Sequence, residues 1–175
     1  MNKFLKYLVS LYIIFFSTNS YSENSPKIHL VLENGVVEIE TYTEEAPQTV
    51  KRIVELAKSG FYDGLTFHRV IAGFMAQGGD PNGNGTGGSG KNLKAEFNEI
   101  KHTRGIVSMA RANDPDSADS QFFICYDDLP FLDGKYTVWG KVVSGMNLID
   151  RIPEGRGQNG QVLSNPTKII TVKVK

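Results

Sequence analysis

The chain has 175 residues, 40% of them hydrophobic and 22% charged, which is the balance of an ordinary soluble domain, so one globular unit accounts for the length. Its 19 Lys and Arg offset 19 Asp and Glu to a formal charge of +0, and the basic residues are scattered, which excludes an electrostatic nucleic-acid footprint. A single cysteine, Cys125, excludes an internal disulfide and leaves stability to the core.

The N-terminus has a composition of its own. Met1 to Lys6 is short and basic, Tyr7 to Phe16 is an apolar run of about ten residues, and small residues follow at Ser20 and Ser22. That order predicts a secretory signal peptide over residues 1–22, cleaved after Ser22. A membrane anchor would need roughly 20 apolar residues, and no cysteine stands near the cleavage point to carry a lipid, so no stable membrane insertion is expected after cleavage. Removing Lys3 and Lys6 leaves 17 basic against 19 acidic residues. Residues 23–26 form a short linker, and residues 27–175 one domain.

That domain opens with a hairpin: Ile28 to Leu32 and Val36 to Glu40 flank Asn34-Gly35, the strongest short turn signal. From Thr43 to Gly60 the spacing predicts an amphipathic helix. Acidic residues and Pro47 stand at its start, Val50, Ile53, Val54 and Ala57 share a face, and Gly60 stops it. Short apolar runs follow over 65–71, 74–77, 106–110, 121–125, 137–143 and 167–174, with a second short helix at 146–151 ahead of Pro153. Many short strands with Gly-rich punctuation predict a mainly β sandwich or closed barrel.

Several features imitate other chemistries. Gly85 to Lys91 approximates a phosphate-binding loop, but Asn92 stands where a Ser or Thr must hold magnesium, and no buried strand leads into the glycines. The reading that remains is a long surface loop. His29, His68 and His102 lack metal-ligand spacing, and Asp114 to Asp119 lacks the Gly turn and closing Glu of a calcium loop, so no metal or other cofactor is expected. A serine hydrolase would need a nucleophile elbow, and no Gly-x-Ser-x-Gly occurs. Cys125 and Trp139 both lie in apolar strand-like runs and read as core.

The most informative run is Phe67 to Asp80 (FHRVIAGFMAQGGD). Read as two strands broken at Ala72-Gly73, it puts Phe67, Arg69 and Ile71 on one side; beyond the break Met75 and Gln77 face one way, Phe74 and Ala76 the other. A fixed cation and an amide beside Phe and Met suit a peptide-sized apolar pocket with a few oriented donors.

This run resembles the signature block of the cyclophilins, the peptidyl-prolyl cis-trans isomerases. The resemblance extends to Ile106–Ala110, Ser120–Ile124, Phe131–Lys135 and Val138–Val142, in family order, and covers nearly everything from Lys27 onward. With the predicted signal peptide and the short Asp114–Ala118 connection, the chain is most similar to the periplasmic cyclophilins of Gram-negative bacteria. The resemblance implies a closed eight-stranded antiparallel β-barrel with a helix at each open end, and proline-containing unfolded or flexible polypeptides as substrates. A monomer in the periplasm, with secretion as the second choice, is the corresponding expectation.

By position, Phe74, Met75, Phe123 and Leu132 resemble the walls of the family's proline pocket, while Gln77, Ala110 and Arg111 fall where the family contacts substrate backbone. Arg69 is the candidate catalyst, because guanidinium stays charged and offers rigid donors to a twisted X-Pro nitrogen. His68 reads as a supporting residue. For the neighbouring phenylalanines, Phe122 reads as core and Phe123 as pocket. Two positions depart from the best-known eukaryotic pattern: Phe131 replaces a tryptophan, which predicts weak cyclosporin binding, and Tyr136 replaces a histidine while still able to close the pocket. The alternative to an isomerase of exported proteins is a proline-peptide-binding or holdase module with incidental turnover.

Overall fold

The computed structural model describes residues 25–175. The signal peptide expected over residues 1–22 and the first half of the linker after it lie outside the described residues. Eight strands and two α-helices follow: β1 Lys27–Leu32, β2 Gly35–Thr41, α1 Pro47–Lys58, β3 Arg69–Ile71, β4 Met75–Gly78, β5 Ile106–Met109, β6 Phe122–Cys125, β7 Val138–Ser144, α2 Met146–Ile149 and β8 Ile169–Val174. Single 3-10 turns lie at Pro115–Ser117 and Pro130–Leu132.

All strand ladders are antiparallel, in the order β3-β4-β6-β5-β7-β2-β1-β8. The sheet curls into an open half-barrel, so the closed barrel expected from the resemblance is corrected. Its terminal strands β3 and β8 do not pair with each other. The segment before β3 meets β8 through an isolated bridge, Thr66 with Lys168, and a few backbone hydrogen bonds, Gly64 N to Ile169 O and Ile169 N to Leu65 O among them. The cause lies far off in sequence: the strand expected over 65–71 shrinks to three residues, because Phe67 N donates to Thr167 O and Val70 N to Gly160 O instead of to a neighbouring strand.

That bend also breaks the expected alternation. Phe67 does not share the side of Arg69; it is buried in the main core, with its ring edge-on to Phe122 at 6.2 Å. Alternation holds where the ladder is regular. Arg69 lies opposite Gln77 and Ile71 opposite Met75, while Val70 and Ala76 turn to the other face.

Two apolar clusters therefore occupy the two faces of the sheet. The larger joins Val37, Ile39, Phe122, Ile124 and Trp139 to the inner face of α1, Val50, Ile53, Leu56 and Ala57, and to Ile149 of α2. The smaller gathers Met75, Ile106, Phe123, Cys125, Leu132 and Val138. Helix α1 is shorter than the expected 43–60 and has Pro47 in its first turn. Ala46 offers no side-chain cap, and the carboxylate of Glu96 accepts the free Gln48 and Thr49 N–H groups instead, at 2.9 and 2.8 Å.

The Gly-rich stretch folds around Asp80, whose carboxylate accepts backbone N–H groups of Asn82, Asn84 and Gly85. Gly79 begins it at φ +83°, where a Cβ would lie 2.5 Å from Ser120 O, so only glycine passes.

Candidate active site

The site grows out of the β3-β4 pair. Because Arg69 and Gln77 are cross-strand partners, their side chains leave the sheet side by side, and Arg69 Nη1 donates to Gln77 Oε1 at 3.0 Å. Gln77 Nε2 donates in turn to Gln121 Oε1 at 2.9 Å, and Gln121 Nε2 to the carbonyls of Gly85 and Gly87. The amide chain orients Gln77, since each carbonyl oxygen meets a donor and each NH2 an acceptor.

A second tie reaches Arg69 from the C-terminal loop, with Nε donating to Asn159 O at 2.8 Å. Its Cζ lies 5.9 Å from the Phe74 ring centre, and Nη1 lies 3.9 Å from Met75 Sδ. Among the described residues no acceptor takes a hydrogen from Nη2. Partial burial lowers the Arg69 pKa below its ordinary value, opposed by nearby Tyr136, and an arginine remains charged at any working pH. The result is a fixed, partly dehydrated cation with a donor to spare.

Around it lies a cavity of about 100 Å³, lined by Arg69, Phe74, Met75, Gln77, Ala110, Arg111, Phe123, Leu132 and Tyr136. A dry cavity of about 150 Å³ holds benzene, so this one suits a smaller ring. Phe123 forms the floor and meets the edge of Tyr136 at 5.7 Å and 85°. Arg111 stands over Tyr136, Cζ to ring centre 4.7 Å, and over Phe97 at 5.8 Å, while its guanidinium donates to the carbonyls of Lys135, Ala112 and Asn113. Gln77, Ala110 and Arg111 also border a neighbouring cavity of about 220 Å³ that runs on to Gly87, Asp119 and Gln121. A chain lying across both would have its ring in the first and a flanking side chain toward the second.

Nine of the eleven residues singled out from sequence thus meet at one cavity. Phe131 does not line it: it is 58% exposed and packs on Phe74 at the rim, ring centres 5.7 Å apart. His68 is buried beside Asp80 and Gly85, and burial lowers its pKa against the opposing pull of the Asp80 charge and the Thr66 backbone. Phe74 also departs from the strict alternation, because it sits in the turn before β4 and rejoins the side of Met75.

Sequence reasoning missed Gln121, Asn159, Phe97 and the group His102, Ser108 and Asp133 behind the cavity. Asn159 acts through its backbone and leaves no signature at all. His102 had one: a histidine without metal spacing, four residues ahead of an apolar strand, is a buried hydrogen-bonding group before it is anything else. Cys125 faces Met75 across the ladder in the smaller cluster, where burial pushes its thiol up to about 12, so it is packing material.

Comparison with known proteins bears on this geometry. The family model for cyclophilin type peptidyl-prolyl cis-trans isomerase/CLD matches residues 27–174. A probable peptidyl-prolyl cis-trans isomerase of Brucella abortus is 44% identical over 179 residues, covering 95% of this chain and 91% of its own. A peptidyl-prolyl cis-trans isomerase of Helicobacter pylori is 53% identical over 125 residues, 69% of this chain and 76% of its own. Among solved structures, the Cryptosporidium parvum cyclophilin type isomerase crystallised in the presence of the dipeptide Ala-Pro superposes with a TM-score of 0.77 at 32% identity, over 85% of this chain and 98% of that one.

Proposed function

The chain belongs to the cyclophilin-type peptidyl-prolyl cis-trans isomerases, and from that premise we propose that it accelerates X-Pro rotation in exported polypeptides, with Arg69 as the electrostatic catalyst. An X-Pro bond prefers trans by only about 0.5–1 kcal/mol, but the barrier of about 18–20 kcal/mol comes from amide resonance. Twisting the bond returns the lone pair to the proline nitrogen. A donor aimed at that nitrogen therefore favours the twisted form over either planar one, which is the condition for catalysis. A 10⁵-fold acceleration asks for about 7 kcal/mol, within reach of one well-aimed charge plus loss of water around the amide.

The observation that carries this reading is the held guanidinium: Arg69 is tied at Nε by Asn159 and at Nη1 by Gln77, so its remaining donor pays little to be oriented. Phe74, Met75, Phe123, Leu132 and Tyr136 hold the proline ring. Gln77, Ala110 and Arg111 take the flanking backbone, His68 supports the Gly-rich loop behind it, and Phe131 shields the rim. No cofactor has a part in this chemistry.

We place the protein in the periplasm, released there from its leader and assisting newly exported chains as a monomer. The support is the basic, apolar and small-residue order of residues 1–22. Mass measurement of the mature N-terminus after cell fractionation tests it, with Glu23 as the expected first residue.

Arg69→Ala tests the mechanism. Isomerisation of a proline peptide should lose about 10²–10³ in kcat/KM, the cost of removing one transition-state donor, while the thermal midpoint barely moves. Full retained activity refutes the role of Arg69. Tight peptide binding by the unaltered protein with negligible exchange enhancement identifies a holdase instead.

A further inference from the structure

Behind the cavity wall lies a buried polar group that the catalytic reading leaves unused. The His102 side chain is 0% exposed; its ring stacks on Phe123 at 6.2 Å and 14° and stands edge-on to Tyr136 at 6.5 Å and 83°. Both of those aromatics line the cavity.

The imidazole is held at both ends. Nδ1 lies 3.1 Å from Asp133 Oδ1, an oxygen that also accepts the His102 backbone N–H at 2.8 Å. Nε2 lies 3.1 Å from Ser108 Oγ, which is 2.8 Å from Thr137 O. The carboxylate and the carbonyl only accept, so Nδ1 carries a hydrogen toward Asp133, and the single Ser108 hydrogen has two claimants. In neutral His102 the hydroxyl serves either Thr137 O or Nε2. In the imidazolium, Nε2–H donates to Ser108, Ser108 donates to Thr137, and every contact is met at once. The order Asp-His-Ser imitates a hydrolytic triad, but Ser108 is 0% exposed and its oxygen is enclosed by its two partners. This rules out a nucleophile and leaves a mechanical part.

We propose that His102 is a positioning residue of the isomerase site: pinned by Asp133 and Ser108, its ring sets the spacing of Phe123 and Tyr136 around the proline ring. The inference rests on the isomerase reading above. It makes the cavity wall sensitive to the charge of one imidazole. Besides Asp133, the titratable group facing it is Tyr136 itself, while Lys101, 3.7 Å from the other Asp133 oxygen, and Cys125 from β6 interact with Asp133. Burial lowers the His102 pKa, opposed by the hydrogen bond and charge of Asp133. Hydrogen bonds from His102 hold the Asp133 carboxyl below the usual range, with burial opposing.

The test is kcat and KM for an Ala-Pro peptide between about pH 5 and 8, alongside NMR titration of the His102, Phe123 and Tyr136 rings. KM should inflect where the His102 ring titrates. His102→Gln should remove the inflection and raise KM about three- to tenfold with a smaller change in kcat. Asp133→Asn, at a partly exposed side chain, should move the inflection to lower pH, and it carries the test if His102→Gln fails to fold. A KM that stays flat across the His102 titration, a His102→Gln enzyme with wild-type KM, or an Asp133→Asn enzyme with an unmoved inflection overturns the proposal. The ring resonances need no turnover. If Phe123 and Tyr136 follow His102 in a protein without isomerase activity, the positioning stands and the isomerase reading fails; if they ignore it, the positioning fails whatever the rate.

Discussion

Phe122 and Phe123 are neighbours in one strand, 4% and 5% exposed, yet they belong to different regions. Phe122 meets Tyr62, Phe67 and Trp139 edge-on in a cluster closed by two helices. Phe123 meets His102 and Tyr136 in a cluster that opens into a cavity and has a hydrogen-bonded polar group behind it. The difference teaches that burial alone does not mark core. What separates the faces is whether the cluster around an aromatic residue is closed by other elements or borders open space.

The comparison can be broken by mutation. Phe122→Ala should cost about 3–5 kcal/mol of unfolding free energy in urea titration, since closed packing cannot collapse around the void. Phe123→Ala should cost less than half as much, because its wall already borders open space, yet raise KM at least about tenfold. Equal losses of stability from both, with equal effects on KM, would erase the distinction. A smaller effect sharpens it from the core side: Glu96→Ala strips the acceptors from the first turn of α1 and should cost about 1 kcal/mol without changing kcat/KM. A change in kcat/KM there would mean the two faces are coupled through α1.

The smallest effect is one of pH. Burial lowers the pKa of both His68 and His102, whereas the unfolded chain keeps its histidines near 6.5. Protons then favour the unfolded chain, so this part of the stability is complete above about pH 6.5 and is lost as pH falls through the lower folded values. The urea midpoint should therefore decline from about pH 7 to 5, before Asp80 and Asp133 titrate. His102→Gln should flatten part of that decline; a midpoint that rises on acidification contradicts it.

Much of this was legible in the sequence wherever the cause is local. The β1-β2 hairpin follows from Asn34-Gly35, and the buried face of α1 from its spacing. The opposite duties of Phe122 and Phe123 follow from strand alternation. The bend at Phe67 and His68 was not legible, because it is imposed by carbonyls of Thr167 and Gly160 almost a hundred residues away. Glu96 is 48 residues from the helix it caps, and Asp133 is 31 residues from His102. No periodicity encodes such pairings, and they account for both the open edge of the sheet and the group behind the cavity.

The tie from Arg69 to Asn159 has a bearing on what this loop can tolerate over generations of change. A carbonyl oxygen is the same in every amino acid, so the side chain at 159 is free to drift while the guanidinium keeps its anchor. That freedom stops one residue later. Gly160 has φ +67°, and a Cβ there would lie 2.7 Å from Val70 O and 2.3 Å from Ile71 Cγ1. The loop is thus permissive in letters and strict in length: a single inserted residue near Gly157 would carry the anchor off register and disarm an arginine it never touches with a side chain.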